Sequence, residues 1–544
     1  MTNSRSNVRS SKVSATGRRS WAVLAALMGM AIGAGAGTAR AQAFGPRTLS
    51  DQSKQCIQCH REQNPALYQQ WGTSKHFRAN VGCFECHGAM KEDPDAFEHY
   101  GQIIATLVTP KDCSRCHSKE VEEFSASHHA KAARILGSLD NVLAEVVEGN
   151  TGMHTGAFMG GTSAAAVNGC WQCHGTEVKL IKPAAKEGEA AKPGTAADAM
   201  AAQTAKIAGE PAHIMLDPAT WPNTGIGRIN PDGSEGSCTA CHSRHSFSAA
   251  QARHPDTCGK CHLGPDHPQK EIYEESKHGI AFFANLDKMN LTSEKWIVGE
   301  DYSAAPTCAT CHMSATKKQP VTHDVGLRIS WNNRPERSIR PEIADAALGL
   351  PTANLDWQTR RQNMTDVCMA CHQAPWVQGF YTQYDALIDM YDKKFAVPGL
   401  ELYKLAKPLL HPAMFSNELD WTWYELWHHE GRRARHGASM MAPDYTHWHG
   451  TYEVAKAWYK DYIPQLEALA AANINSEDPA RKQAAQALRA KLDEVLNSDD
   501  HKWFIGKMDP EEAARRKKAA EGFRARYQNT PAPSTPAPSS PSGK

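Results

Sequence analysis

Residues 56–60 read CIQCH, and the same Cys-x-x-Cys-His pattern occurs eight times along the chain. The first cysteines are Cys56, Cys83, Cys113, Cys170, Cys238, Cys258, Cys308 and Cys368, and the second are Cys59, Cys86, Cys116, Cys173, Cys241, Cys261, Cys311 and Cys371. Together they use all sixteen cysteines. Structural zinc, disulfides and redox-active cysteine pairs use the same two cysteines, but none requires the histidine. Histidine is about a twentieth of the chain, so chance would place it after all eight pairs with odds on the order of 10⁻¹¹.

Cys-x-x-Cys-His is the attachment motif of c-type haem, in which two thiols bond the vinyl groups and the histidine binds the iron. The predicted proximal ligands are His60, His87, His117, His174, His242, His262, His312 and His372. We therefore predict eight covalently bound c-type haems. The predicted fold is a mainly α multihaem cytochrome c, with short helices and loops wrapped around the haems and a long helical C-terminal part.

The N-terminus has the pattern of an export signal. Basic residues precede an apolar run from Trp21 to Gly37, and Ala39-Arg40-Ala41 supplies a cleavage site. We predict a signal peptide over residues 1–41, cleaved near Ala41, a periplasmic location and no transmembrane segment. The formal net charge of +1 gives no reason to expect a nucleic-acid partner.

The mature chain divides by composition. The motifs predict a haem-binding core over residues 42–375, interrupted by an Ala-, Lys- and Gly-rich surface insertion at 184–209. Residues 376–528 predict a helical C-terminal region, including a helix from Asp478 to Asn497 with Pro479 in its first turn. The final residues, 529–544, predict a disordered tail.

Three segments share the form aromatic-x-x-Ser-x-His, and each follows a haem motif. They end at His76, His129 and His278, which we predict to be distal ligands of haem iron. The alternative is that these are ordinary surface histidines. Further candidates outside the repeat are His245, His254, His436 and His447.

Two stretches carry polar residues that an electron conduit would not need. In the first, Asp266 and His267 lie between two prolines. A hydrogen bond between them would give a proton acceptor with a pKa near neutral. The alternative is that Asp266 caps a helix. The second is MMAPDYTHWHG at 440–450, in which Pro443 and Gly450 argue against regular structure.

The motif order, CHLGPDHPQ at 261–269 and ARHGASMMAPDYTHWHG at 434–450 resemble the hydroxylamine oxidoreductase family over essentially the whole mature chain. The resemblance implies a catalytic haem on Cys170 and Cys173, with His174 as proximal ligand, no distal protein ligand, and Asp266 and His267 beside it. It also implies a further distal tyrosine, for which Tyr381 and Tyr384 are candidates.

In that family a tyrosine of the neighbouring subunit is covalently joined to the catalytic haem. Here the resemblance implies Tyr445, with Tyr452 as the second choice, on an inter-subunit arm near residues 436–452 of a homotrimer. Distortion of the haem by this crosslink would favour oxidation.

The expected activity is periplasmic oxidation of hydroxylamine to nitric oxide or nitrite. Electrons would pass through the seven other haems to a soluble or membrane-attached cytochrome c. The alternatives are a hydrazine dehydrogenase, a reductive octahaem nitrite or hydroxylamine reductase, and a non-catalytic electron conduit.

Overall fold

The computed structural model describes residues 48–137, 139–149, 153–154, 162–181, 215–350 and 355–528. The predicted signal peptide, the insertion at 184–209 and the tail at 529–544 lie outside these residues. Helices make up 60% of the structure and strands 4%, which confirms the mainly α prediction. Among the described residues, no helix combines the length and apolar character needed to span a membrane.

The motif-bearing part consists of short helices, several of which contain the haem-attachment cysteines. Its α-helices are Asp51–Gln63, Pro65–Thr73, Lys75–Arg78, Cys83–His87, Pro110–Ser114, Ser118–Ala126, Leu139–Glu148, Ala164–Val167, Cys170–Cys173, Ala249–Arg253, Pro255–Gly259, Gln269–Glu275, Lys277–Ala284, Cys308–His312, Pro341–Leu348 and Trp357–Cys368. Short 3₁₀ helices lie at Ala132–Gly137, Cys238–Ala240, Leu286–Lys288 and Val325–Arg328.

Local hydrogen bonds fix where the short motif helices begin and how they contact each other. Thr307 caps the helix Cys308–His312, because its side chain accepts a hydrogen bond from the backbone of Thr310. Between the first two motifs, the buried Ser53 donates to Oε2 of Glu85 at 2.7 Å, and that oxygen also accepts from Gly82 N–H at 2.8 Å. These bonds fix the helix of the first motif against the helix of the second.

Strands are few and short in the described residues. Three antiparallel pairs are formed, Phe97–His99 with Gln102–Ile104, Met153–His154 with Thr162–Ser163, and Leu180–Ile181 with Met215–Leu216. In the first pair Phe97 faces Ile104 and His99 faces Gln102. These hairpins connect motif segments rather than forming a sheet core.

The C-terminal part is built of long helical rods, several of which pass through a π-helical turn. Its α-helices are Ala374–Tyr391, Val397–Ala406, Glu418–Tyr424, Gly431–Ser439, Pro443–Thr446, Glu453–Ala457, Ile463–Asn473, Pro479–Asn497 and Pro510–Gln528. The π-helical turns are Asp392–Ala396, Glu425–Glu430, His447–Tyr452 and Trp458–Tyr462, and a 3₁₀ turn lies at Lys407–Leu409. These rods share an apolar core that includes Trp458, Leu466 and Leu488.

The predicted helix at 478–497 is confirmed. It begins at Pro479, and the side chain of Asp478 caps it by accepting from Ala480 N–H at 2.9 Å. Leu488 and Leu492 lie on its buried face.

The expectation that residues 440–450 lack regular structure is wrong. Pro443 occupies the first turn of a helix, where its missing N–H costs nothing. Gly450 lies inside the π-helical turn. Glycine is needed there because a Cβ would come within 2.4 Å of Tyr445 O and 2.6 Å of Ala434 Cα. Glycine therefore permits close packing here against the helix Gly431–Ser439.

Candidate functional site

The aromatic-x-x-Ser-x-His repeat forms a sharp corner at its serine, not one continuous helix. Ser74, Ser127 and Ser276 each end a helix in an extended conformation, with ψ near 160°, and all three are buried. Ser276 shows the pattern: its hydroxyl donates to Tyr273 O at 2.7 Å and accepts from Gly279 N–H at 3.1 Å. The corner buries the aromatic residue and directs the next turn, which carries the histidine.

The structure brings each repeat histidine close to the proximal histidine of a different motif. The ring centroids of His76 and His117, of His129 and His262, and of His278 and His372 are all 6.1 Å apart. The repeat histidines therefore do not face the motif that immediately precedes them in sequence.

Three further proximal histidines have a partner at 6.4 Å. His60 pairs with His99, His87 with His245, and His242 with His323. The sequence predicts His245 as a candidate, but not His99 or His323, which have no local pattern in common. Of the other candidates, His254 contacts Phe282 and His447 contacts Trp448, whereas His436 lies near Arg435 and Arg432.

This spacing fits a metal between the two rings. His262 has two imidazoles at 6.1 Å, those of His129 and His267. An iron bonded at about 2 Å to one nitrogen of each imidazole would hold the ring centroids about 6 Å apart. At His87, Nδ1 lies 2.9 Å from the carbonyl oxygen of Ala105, so Nε2 is left for a metal and the ring is oriented by its second nitrogen. The histidines and cysteines present therefore fit c-type haem.

Contacts between cysteines give the spatial order of the motifs. Neighbouring cysteines bring together the first and second motifs, the third and fifth, the fourth and sixth, and the sixth and seventh, through Cys56 and Cys83, Cys113 and Cys238, Cys173 and Cys261, and Cys258 and Cys308. Cysteines of the second and third, fifth and sixth, and seventh and eighth motifs are close enough to interact electrostatically. The motifs thus follow one another in space in the order first, second, third, fifth, sixth, seventh and eighth. The fourth motif lies beside the sixth.

His174 and His312 have no imidazole at the paired spacing among the described residues. Burial lowers the pKa of His174, and the neighbouring His267 and Arg334 lower it further, whereas the charge of Asp140 opposes them. His312 is surrounded differently, since the charge acting on it comes from Arg328. His174 is therefore the proximal histidine with acid and base groups around it.

The predicted hydrogen bond between Asp266 and His267 is not formed. Nδ1 of His267 lies 3.6 Å from Oδ1 of Asp266, and Oδ2 of Asp266 lies 3.6 Å from Nη1 of Arg432. The helix-cap alternative is also wrong, because the cap of the helix Gln269–Glu275 is Pro268 and uses no side chain. Asp266 thus lies between the imidazole of His267 and the guanidinium of Arg432. Arg433 Nε donates to Pro265 O at 3.0 Å and fixes the loop that carries Asp266.

Asp140 and His428 complete a cluster with Asp266 that sequence reasoning missed. Ligand atoms of these three side chains lie within 4.8 Å of one another. Nε2 of His428 lies 2.9 Å from Oδ1 of Asp140 and 3.2 Å from Tyr424 Oη. One signal could have found it: Tyr424, His428 and Arg432 recur every four residues, and therefore share one face of a helical rod.

The chain path brings this cluster to the fourth motif. Asp140 lies on the helix Leu139–Glu148, and the side chain of Asn168 donates to Ala144 O at 3.1 Å and to Ala164 O at 3.0 Å. These bonds tie that helix to the segment leading into Cys170. On the other side of the cluster, the guanidinium of Arg432 donates to the carbonyl oxygen of Arg334 at 2.9 and 2.6 Å, which ties the segment of Arg432 to that of Arg334.

The tyrosines implied by the family resemblance lie in three places. The backbone N–H of Tyr445 donates to Glu275 at 3.2 Å and its ring contacts His449. Tyr452 is half-exposed against Trp448. Tyr384 accepts a hydrogen bond from Asn333, and Tyr381 lies under the guanidinium of Arg361. The tyrosine that donates to Asp140 is Tyr424, which the resemblance did not suggest.

Two family models match parts of the chain. Residues 231–419 match the model described as seven times multi-haem cytochrome CxxCH, and residues 34–88 and 112–200 match the model described as cytochrome c554 and c-prime. A solved structure of a hypothetical multiheme protein aligns with a TM-score of 0.63 and 27% identity, over 78% of this chain and 97% of that one. A Kuenenia stuttgartiensis reducing HAO-like protein complex aligns with a TM-score of 0.49 and 16% identity, over 83% of this chain and 90% of that one.

A curated relative is the probable nitrite reductase-hydroxylamine oxidoreductase fusion protein of Kuenenia stuttgartiensis. It is 28% identical over 304 residues, which is 49% of this chain. The match spans only 34% of the length of that relative.

The attachment motifs, the imidazole pairs and these matches define a multihaem c-type cytochrome, an electron-transfer protein with covalently bound haems. More particularly, it is related to hydroxylamine oxidoreductase-like proteins.

Proposed function

We propose that this protein oxidises hydroxylamine at the haem attached through Cys170 and Cys173. The observation that carries the proposal is the setting of His174, which has acid and base groups around it where six other proximal histidines face a second imidazole. An iron with one protein ligand has a position for a small substrate, whereas an iron with two can only pass electrons.

The six imidazole pairs support six haems with two histidine ligands each, and the eight motifs support eight haems in total. Bound haem would supply the open coordination position and accept the electrons. Because the fourth motif contacts the sixth, electrons would leave the site towards the haem of Cys258 and Cys261, and then along the chain in either direction. A soluble or membrane-attached cytochrome c in the periplasm would receive them.

The residues of this chain supply proton removal, which must accompany electron removal from hydroxylamine. His267 has a buried Nδ1 with no hydrogen-bond partner among the described residues, so it can accept a proton. Asp266, 3.6 Å from that nitrogen, would stabilise the resulting positive charge. Arg432 holds Asp266 in place, since its Nη1 lies 3.6 Å from Oδ2 of Asp266.

The second part of the proposal concerns assembly and the direction of the reaction. Met441, Trp448 and Tyr452 are 47%, 57% and 50% exposed and lie on the segment that carries Tyr445. Large apolar side chains clustered at the surface favour contact with another protein. We propose that this segment reaches the next subunit of a homotrimer, that Tyr445 is joined there to the catalytic haem, and that the resulting distortion favours oxidation.

The proposal is tested by mixing the oxidised holoprotein with hydroxylamine and following haem reduction by absorbance. Hydrazine is the comparison substrate, and nitrite added to the chemically reduced protein tests the reverse direction. Rapid reduction by hydroxylamine supports the proposal. Faster turnover of hydrazine indicates a dehydrogenase of that substrate, reoxidation only by nitrite indicates a reductase, and no reaction with any of the three indicates an electron conduit.

A further inference from the structure

A second acid-base pair lies in the same pocket, and the proton chemistry assigned above to Asp266 and His267 does not use it. His428 is 2% exposed, and its Nε2 lies 2.9 Å from Oδ1 of Asp140. The oxygen of Asp140 also accepts from Tyr424 Oη at 3.1 Å. The two side chains are thus hydrogen-bonded to each other and to Tyr424, whereas Asp266 and His267 are 3.6 Å apart.

Asp140, Asp266 and His428 have the ligand types and spacing of a small metal site, but a cation is already present. Nη1 of Arg432 lies 3.1 Å from Nε2 of His428 and 3.6 Å from Oδ2 of Asp266. A divalent ion among the three side chains would lie beside this guanidinium, and the repulsion would oppose binding. A single proton on His428 adds one positive charge, which faces Asp140 at 2.9 Å, so the cluster is better suited to a proton than to a divalent metal.

The hydrogen bonds identify the atom of His428 that can accept a proton. Nε2 lies 2.9 Å from Oδ1 of Asp140, which only accepts hydrogen bonds, and 3.1 Å from Nη1 of Arg432, which only donates them. The shorter contact assigns the hydrogen of Nε2 to Asp140. Nδ1 is then the nitrogen with the lone pair, and it is buried with no hydrogen-bond partner among the described residues. Burial acts to raise the pKa of Asp140, but the hydrogen bond and charge of His428, together with Arg432, hold that pKa well below its usual value.

Burial lowers the pKa of His428 and the charge of Arg432 lowers it further, whereas the hydrogen bond and charge of Asp140 and the charge of Asp266 oppose them. The imidazole is therefore neutral at rest and able to take a proton, and the ionised Asp140 is positioned to stabilise the imidazolium that results. This is the same division of roles, base and stabilising carboxylate, that Asp266 and His267 offer nearby.

The stoichiometry of the proposed reaction requires more than one proton acceptor. Hydroxylamine and water give nitrite with the release of four electrons and five protons, and hydroxylamine alone gives nitric oxide with three of each. One imidazole holds one proton at a time, so a single base would have to empty between successive steps.

We infer that His428, held by Asp140, is a second proton acceptor of the pocket and works beside His267. An N–H or O–H bond of the substrate breaks, an N–H bond forms at Nδ1 of His428, and the electrons leave to the haems of the chain and then to the cytochrome c acceptor. This inference rests on the proposed function, because it needs a reaction that releases protons at this site.

The test compares His428→Gln and Asp140→Asn with wild type, in the full holoprotein with hydroxylamine as substrate. Because a second base remains, each variant is expected to lose about 10- to 100-fold in kcat with little change in KM, and to show a larger solvent deuterium isotope effect. Asp140→Glu should recover most of the rate because it keeps the carboxylate. His411→Ala, on an exposed loop where His411 contacts Ser416, is the matched control.

A purely structural role for the pair would change haem content or the absorption spectrum and leave the isotope effect as in wild type, which would overturn the inference. Should His428→Gln fail to retain haem, Asp140→Asn and Asp140→Glu decide the question by the same measurements. Wild-type turnover that both His428→Gln and Asp140→Asn leave unchanged overturns the inference alone. Lack of turnover in wild type overturns the proposed function, and the inference with it.

Discussion

The imidazole of His129 lies 6.1 Å from that of His262, the histidine of the sixth attachment motif. His129 follows the third motif in sequence, so the fold carries a distal-ligand candidate from one haem-binding segment to another. This exchange ties distant segments together, because each iron would be held from both sides by residues far apart in the chain.

Replacing His129 by Ala should convert the haem of Cys258 and Cys261 from low spin to high spin, since the sixth ligand would be missing. Electron paramagnetic resonance of the oxidised protein measures the change, and carbon monoxide binding to the reduced protein should rise by one site. His254→Ala is the control, because His254 contacts Phe282 and not a motif histidine. A spectrum of His129→Ala identical to that of wild type would remove this residue from the ligand set.

Ser276→Ala should lower the free energy of unfolding by about 1 to 3 kcal/mol, because it removes a buried hydrogen-bonding group at the corner of the repeat. Denaturant titration followed by circular dichroism measures the loss. Ser293→Ala, a substitution at a partly buried serine that donates to Asp301, is the comparison and should cost less. Equal stability of Ser276→Ala and wild type would mean that the corner does not depend on its serine.

Asp266→Asn should reduce kcat for hydroxylamine by about 10- to 1,000-fold and leave haem content unchanged, since the amide cannot stabilise a protonated His267. Steady-state kinetics with a cytochrome c acceptor, together with the pyridine haemochrome assay, provide both quantities. Full activity in this variant would exclude Asp266 from proton transfer.

Glu430 should make the protein less stable as the pH rises. Burial raises the pKa of its carboxyl from 4.5 to about 7, with Glu425 and Glu453 adding to the shift and Arg433 opposing it. Between these two pH values the unfolded chain loses its proton and the folded one keeps it, so stability falls through this window by at most about 3 kcal/mol. Glu430→Gln should flatten the stability profile between pH 4.5 and pH 7; an unchanged slope would assign the dependence to other groups.

Tyr445→Phe should abolish any covalent link between protomers, because the ring would lack the hydroxyl oxygen. Denaturing electrophoresis of the variant should then show single chains. In digested wild-type protein, mass spectrometry should find a peptide that joins Tyr445 to the haem of Cys170 and Cys173. Absence of this peptide from wild type would contradict the proposed crosslink. Tyr452→Phe is the matched control and should keep the linked species.

Much of the haem framework could be predicted from sequence because the attachment motif is local. The histidine, the two cysteines and the serine corner of the repeat are each set by neighbours within a few residues. The helix at 478–497 was predictable for the same reason, because its capping residue and its apolar face are formed by residues close together in the sequence.

The pocket was less predictable because its parts come from distant segments. Asp140 lies on a short helix before the fourth motif, and His428 on a rod far beyond the eighth. His99 and His323 lie in a hairpin and a loop that have no repeating pattern. In MMAPDYTHWHG, proline and glycine pointed to a loop, but a first-turn position and close helix packing accommodate both residues.

The most direct test of hydroxylamine oxidation at the fourth haem removes that haem alone. A variant with Cys170→Ala and Cys173→Ala would carry the other haems, and one with Cys56→Ala and Cys59→Ala is the matched control. After mixing with hydroxylamine, we predict haem reduction in the control and none in the first variant, although dithionite should reduce both. Haem reduction by hydroxylamine in the variant lacking the haem of Cys170 and Cys173 would contradict the account.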